Sequence, residues 1–367
     1  MKRFCKIINA LLACALPLAS LTQPAYADTK TLLGVFYGQQ GWQMSKVQAL
    51  ENWQGKKNAV LNMFTSWCNE TTSMDNLFKY QLRNIWNNQN VPMLSWEPYL
   101  CSPSSTPNDV EVRAANGEYD AYFSNWADRL KTFLSGPDGV YGTSDDRRVY
   151  IRLGHEMNGD WYPWGAAMGN NSPSDYVNMW KHVKNILDSK KLDANHVQWV
   201  WCVINVDIGG YSAESFYPGD DYVNWIGIDG YNWGNSLSPS SWKTPEQVFG
   251  SMIRRMRAMT NKPITIPEVG STTYTTSGNN TEAKLQWIDD ALKYIVAQNI
   301  KMIVWFNEDI DTDWAVFGGT RGNGTFTYNG KTYINYSSYK ALVESSNFVS
   351  SSSTKARLLT DEQFAGY

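Results

Sequence analysis

Trp225-Ile226-Gly227-Ile228-Asp229-Gly230-Tyr231, an amphipathic run from Pro245 to Ala258, and Pro263-Ile264-Thr265-Ile266-Pro267-Glu268-Val269 follow one another along the chain. The first and third pieces are short and apolar, the pattern of a buried strand, and the middle piece spaces its apolar residues as a helix does. Strand, helix, strand is the unit of a parallel sheet with crossover helices.

The pattern repeats in both directions. Further strands are predicted at Leu32 to Tyr37, Ala59 to Ser66, Pro92 to Trp96, Val149 to Gly154, Val197 to Ile204 and Lys301 to Phe306, which makes eight in all. Helices are predicted at Met44 to Gln54, Met74 to Asn87, Tyr119 to Leu134, Ser174 to Ser189, Glu282 to Gln298 and Ser337 to Glu344, with caps at Ser174 and Thr281. A glycine-rich insertion, 318–330, follows the last strand, and only the connection from the fifth strand to the sixth lacks a helical pattern. Eight strands with interleaved helices and no glycine-rich first turn suit a closed α/β structure, the (β/α)8 TIM barrel, better than an open doubly wound sheet.

The ends of the chain differ from this body. Lys2, Arg3 and Lys6 precede an apolar stretch from Ile7 to Leu21 and Ala25-Tyr26-Ala27, so residues 1–27 read as a cleavable signal peptide and the product is expected in a periplasm or outside the cell. The single catalytic domain then covers 28–347, and 348–367, with the run Ser350 to Ser353, reads as a flexible polar tail. Losing the three basic residues takes the formal charge from -3 to -6. Such an acidic chain has no electrostatic reason to bind nucleic acid or an anionic membrane, and it is expected to act as a monomer. Cys5 and Cys14 leave with the signal. Of the remaining three, Cys68 and Cys101 each follow a strand and are the expected bridge, while Cys202 lies in an apolar strand as a small core residue. His155, His182 and His196 show no metal-ligand spacing and no nucleotide loop is present, so neither metal nor cofactor is expected. The acidic stretch Asp138 to Asp146 reads as a tight turn in preference to a calcium loop.

In such barrels the chemistry lies at the C-terminal ends of the strands. There the fourth strand offers His155-Glu156-Met157-Asn158-Gly159-Asp160-Trp161-Tyr162-Pro163-Trp164, and the seventh offers Glu268. Two carboxyls facing across a sugar ring, one protonated and one ionised, are the minimum for glycoside hydrolysis with retention, at a spacing of about 5 to 5.5 Å. Glu156 is the candidate acid/base and Glu268 the candidate nucleophile. Trp161, Trp164, Tyr231 and Trp305 follow strand ends and are expected to line the cleft, where aromatic rings stack on sugar faces. Trp96 and Trp201, near the ends of the third and fifth strands, are candidates for the same role.

The segments Arg152-Leu153-Gly154-His155-Glu156-Met157-Asn158-Gly159-Asp160-Trp161, Ile264 to Gly270 and Trp225 to Trp233 resemble glycoside hydrolase family 26. The resemblance implies a (β/α)8 barrel and retaining hydrolysis of a β-linked polysaccharide. It implies that His155 contacts the sugar beside the cleaved bond, Trp161 lines the cleft, Tyr231 hydrogen-bonds the nucleophile and Trp305 forms the floor. Most members act on β-1,4-mannan, the first expectation here, and others on mixed-linkage β-glucan or β-1,3-xylan. Tyr162-Pro163-Trp164 stands where many mannanases carry a second aromatic pair, which bears on the choice of sugar. A secreted barrel that binds carbohydrate without cleaving it is the alternative from another class, and trimming of the producing cell's own exopolysaccharide would use the same site.

Overall fold

The computed structural model describes residues 30–168 and 171–367; the expected signal peptide, with Cys5 and Cys14, lies outside them. Eight parallel strands close into a barrel: β1 (Thr31–Phe36), β2 (Val60–Ser66), β3 (Val91–Glu97), β4 (Val149–Leu153), β5 (Val197–Ile204), β6 (Trp225–Asn232), β7 (Ile264–Ser271) and β8 (Met302–Phe306), with β8 pairing back to β1. Each lies within two residues of its expected bounds. Around them run α1 (Met44–Gln54), α2 (Thr71–Asp75) and α3 (Leu82–Asn87) joined by a π-helical turn at Asn76–Gln81, α4 (Val110–Ala115), α5 (Asp120–Leu134), α6 (Pro173–Ser189), α7 (Pro245–Met259), α8 (Thr281–Ala297) and α9 (Ser337–Val343). Two short 3-10 turns alone connect β5 to β6. Among the described residues no helix is long and apolar enough to cross a membrane.

The helix caps fall earlier than the sequence suggested. Ser172 caps α6 in a reciprocal box with Asp175, and Asn280 caps α8 by accepting from Ala283 N. The glycine-rich insertion folds into a hairpin, β9 (Gly324–Tyr328) and β10 (Lys331–Asn335).

Strand side chains alternate between two cores. Leu33, Val35, Leu61, Ile151, Trp199, Ile226 and Ile303 belong to the layer packed under the helices, whereas Leu32, Val60, Met93, Tyr150, Val200, Trp225 and Val304 fill the barrel itself.

The expected flexible tail is instead part of that second core. β11 (Phe348–Val349) adds to β1, the Ser351 hydroxyl donates to Asn58 O at 3.0 Å, and α10 (Asp361–Ala365) lies beneath the barrel. Phe364 packs on Tyr150, whose hydroxyl donates to Phe364 O, and buried Arg148 donates to Leu359 O and Asp361. An open barrel floor of apolar side chains needs a cover, and these last residues supply it. At the opposite end Cys68 and Cys101 are bridged, tying the loops after β2 and β3, and Cys202 is a buried free thiol.

Candidate active site

Glu156 owes its place to a chain turned sharply at the end of β4. Gly154 (φ 49°) and Glu156 itself (φ 56°) are both left-handed, a conformation that costs a non-glycine residue about 1–2 kcal/mol. Neighbouring strands hold the turn: Gly154 N donates to Trp96 O and Glu156 N to Cys202 O. Strain sustained in this way is common at working sites. Trp161 then folds back over Gly159, where a Cβ would stand 2.6 Å from the indole, and its Nε1 donates to Glu156 Oε2 at 2.8 Å.

Glu268 is aimed by a different device. The pairing of β7 slips by one residue against both β6 and β8 between Thr265 and Val269, a bulge that holds Pro267, which has no N–H to offer a ladder. Bulges redirect the side chains they carry, and this one turns Glu268 into the barrel mouth. Its Oε2 accepts from the Tyr231 hydroxyl at 2.5 Å and its Oε1 from Arg152 Nη2.

Arg152 is the hub. Fully buried on β4, it donates to Glu268, to Asp229 Oδ2 at 2.6 Å and to Ser95 Oγ at 2.9 Å, and stacks over Phe64. Burial opposes its charge, but Asp229 and Glu268 outweigh that and hold the guanidinium well above its ordinary range. Glu156, Asp229 and Glu268 each place a carboxylate oxygen within 4.8 Å of the other two. Three acids so close could share a metal ion, but two of them already share the Arg152 cation. Burial first, then the charge of Glu268, raises Glu156 to about 7. Burial, with Glu268 and Glu156, pushes Asp229 well up against the pull of Arg152. Glu97, at the end of β3, is raised by burial to about 7.

Of the expected cleft residues, Trp161 (38 % exposed) stands beside Glu156, and Tyr231 donates its hydroxyl to Glu268. The others are placed differently. Trp96, Trp201, Trp305 and Trp164 are all fully buried. Trp96 stacks on Trp126 of α5, ring centroids 3.9 Å apart; Trp201 donates to Phe216 O; Trp305 packs on Trp287 and Tyr339 of the helix layer. The three point outward because their neighbours Ser95, Cys202 and Val304 point in. On β8 the inward aromatic is Phe306, which packs on Phe36 and Tyr231. Trp164 backs the wall, stacked on Tyr162 at 4.3 Å and donating to His155 O. His155, 1 % exposed, is held between Phe64 and Tyr162, whose hydroxyl lies 3.2 Å from its Nε2; burial, then Arg152, keeps its pKa well below the usual value.

The sequence reading assigned no role to Arg152, Asp229, Glu97 or Tyr162. The available signal was charge within apolar strands: Arg152 and Asp229 interrupt otherwise apolar runs at positions that alternate toward the barrel axis. The turn 138–146 uses its own carboxylates, Asp138 accepting from Val140 N, Asp145 from Thr143 Oγ1 and Asp146 from Gly142 N.

A parallel eight-stranded barrel with two carboxyls converging from β4 and β7 defines the class of the glycoside-hydrolase barrels. The model of the family described as glycosyl hydrolase family 26 matches residues 138–250, which include Glu156, Asp229 and Tyr231 and stop short of Glu268. Endoglucanase H of Acetivibrio thermocellus is 31% identical over 278 residues, 74% of this chain and 27% of its own length. A mannan endo-1,4-beta-mannosidase of Bacillus subtilis is 24% identical over 57% of this chain and 60% of its own. Together these matches support glycosyl hydrolase family 26 for the chain, most directly over residues 138–250. The fold is shared with a solved β-mannanase of that family from Bacteroides ovatus, at a TM-score of 0.60 and 20% identity over 88% of this chain and 90% of the other.

Proposed function

We propose that the protein is a retaining endo-β-glycanase in which Glu156 is the acid/base and Glu268 the nucleophile. The observation that carries this is the unequal treatment of two adjoining carboxyls: burial favours the protonated form of Glu156 near neutral pH, while Glu268 receives donors from Arg152 and Tyr231 on its two oxygens. Their oxygens lie within 4.8 Å, in keeping with the close pair that double displacement needs. Glu156 gives its proton to the glycosidic oxygen as a Glu268 oxygen bonds to the anomeric carbon and the leaving chain departs. Glu156, now ionised, takes a proton from water, whose oxygen displaces Glu268 and restores the configuration. Glu268→Ala is expected to abolish turnover, with azide restoring it and yielding a glycosyl azide of inverted configuration. Wild-type activity in that variant would remove the assignment.

The first substrate in this reading is β-1,4-mannan, the polymer named for the Bacillus relative. A β-glucan is the second reading, favoured by the higher identity to the endoglucanase, 27% of whose length the match spans. Reducing sugar released from galactomannan, glucomannan, barley β-glucan and β-1,3-xylan separates them, and binding without release on all four would favour a non-catalytic barrel. We also infer export and action as a monomer. The Cys68–Cys101 bridge supports an oxidising compartment.

A further inference from the structure

Trp42 and Tyr80 stand 47% and 53% exposed, their rings 6.2 Å apart and 31° from parallel, outside the barrel mouth. The exposure of Trp42 is imposed. It follows Gly38, Gln39, Gln40 and Gly41, four consecutive residues with φ of 87°, 50°, 56° and 83°, two of them glutamines in a conformation that side chains disfavour. The loop is pinned by Gln43 N to Gly38 O, Gln81 Nε2 to Gln40 O, Asn84 Nδ2 to Gly41 O, and Gln40 Oε1 accepting from Phe64 N. A strained backbone maintained by so many bonds to hold an indole in water is a candidate for function.

Beside the indole lies a groove of about 400 Å³ between α1 and α3, lined by Trp42, Met44, Ser45 and Gln48 on one side and Asn84 and Asn87 on the other, with Asn88 at its end. None of these side chains is charged. Gln48 spends its Nε2 on Asn88 Oδ1 and Asn84 its Nδ2 on Gly41 O, so their two oxygens remain as acceptors, alongside the exposed Asn87 amide and Ser45 hydroxyl. Ring faces for the C–H face of a pyranose, neutral donors and acceptors for hydroxyls, and no ionic group together match a neutral polysaccharide strand better than a protein or an anionic ligand.

We propose that Trp42, Tyr80 and this groove form a second binding site for a neutral β-linked polysaccharide on the outer wall of the barrel, which keeps the enzyme on the polymer between cleavages. The proposal rests on the hydrolase reading above for its ligand class. A second contact on the same strand raises local concentration and needs no new contact in the mouth.

The test uses the full chain carrying Glu268→Ala, run by affinity electrophoresis through gels holding glucomannan or barley β-glucan. Adding Trp42→Ala with Tyr80→Ala, or separately Asn87→Glu, is expected to weaken retardation by about three- to tenfold in apparent Kd. In the chain with Glu268 intact, KM is expected to rise more for polymer than for an aryl oligosaccharide. Unchanged retardation in both sets of variants, or an equal rise in KM for polymer and oligosaccharide, overturns the site. A concentration-dependent dimer in sedimentation that Trp42→Ala abolishes also overturns it, because the patch would then be an interface between copies. If no polysaccharide retards the parent chain and none is cleaved by the wild type, the hydrolase reading itself has failed, a result distinct from any of these.

Discussion

At the scale of single residues, the site is an arrangement of donors around acids. In the acid/base role proposed for it, Glu156, raised to about 7, holds its proton to assist departure, so kcat/KM is expected to fall as pH rises through about 7. Trp161 Nε1 donates to that carboxyl and favours its ionised form, which opposes the raise. Trp161→Phe removes the donor, and the alkaline limb of the pH profile should move up by about half a unit to one unit. A limb that stays in place or moves down would show that another group sets it. Tyr231→Phe removes one of the two donors on Glu268 and is expected to lower kcat by about ten- to a hundredfold with little change in fold, measured as kcat beside circular dichroism.

At the scale of elements, parity decided what could be read in advance. The strands were legible because short apolar runs alternated with amphipathic ones, and the meeting of Glu156 with Glu268 because both follow strand ends that open on the same mouth. Trp96, Trp201 and Trp305 were misplaced by the same reasoning. Nearness to a strand end does not give the face, and a residue one step from an inward neighbour faces the helices. Applied to β3, β5 and β8, that rule sends all three tryptophans outward and brings Glu97 and Phe306 in. The β7 bulge had one visible trace, Pro267, whereas its effect on Glu268 depends on pairing with two other strands that sequence does not display. The folding back of Trp161 over Gly159 was equally hidden, since it depends on a tertiary turn. Helix α4 carries a further consequence. Glu111 is fully buried, neither carboxyl oxygen has a partner among the described residues, and burial raises it to about 8. Its folded pKa exceeds the ordinary value, so its contribution to stability is present below about pH 4.5 and is lost as pH rises through about 8. Glu111→Gln is expected to match the wild-type melting temperature at pH 5 and exceed it by about 2–5 °C at pH 9 in differential scanning calorimetry.

At the scale of the whole molecule, the two ends of the barrel have separate duties. The mouth collects charge and aromatic rings, while the floor is closed by the last residues of the chain, which composition alone marked as loose. Serines 350 to 353 suggested a polar end; Leu358, Leu359 and Phe364 just beyond them are what the barrel floor buries. Phe364→Ala is expected to cost about 3–5 kcal/mol in urea unfolding while leaving kcat well below the melting point near the wild-type value, because Tyr150 and Trp225 lose their cover at the end remote from Glu156. A drop in kcat without a drop in stability would contradict this division.

Tyr367 emerges 80% exposed under that floor. A handle fused behind it would therefore fasten the protein to a bead or electrode base downward, leaving the acids at the other pole turned toward the bulk liquid and open to long, slowly diffusing polymers. Attachment through lysines scattered over the wall would give no such common orientation.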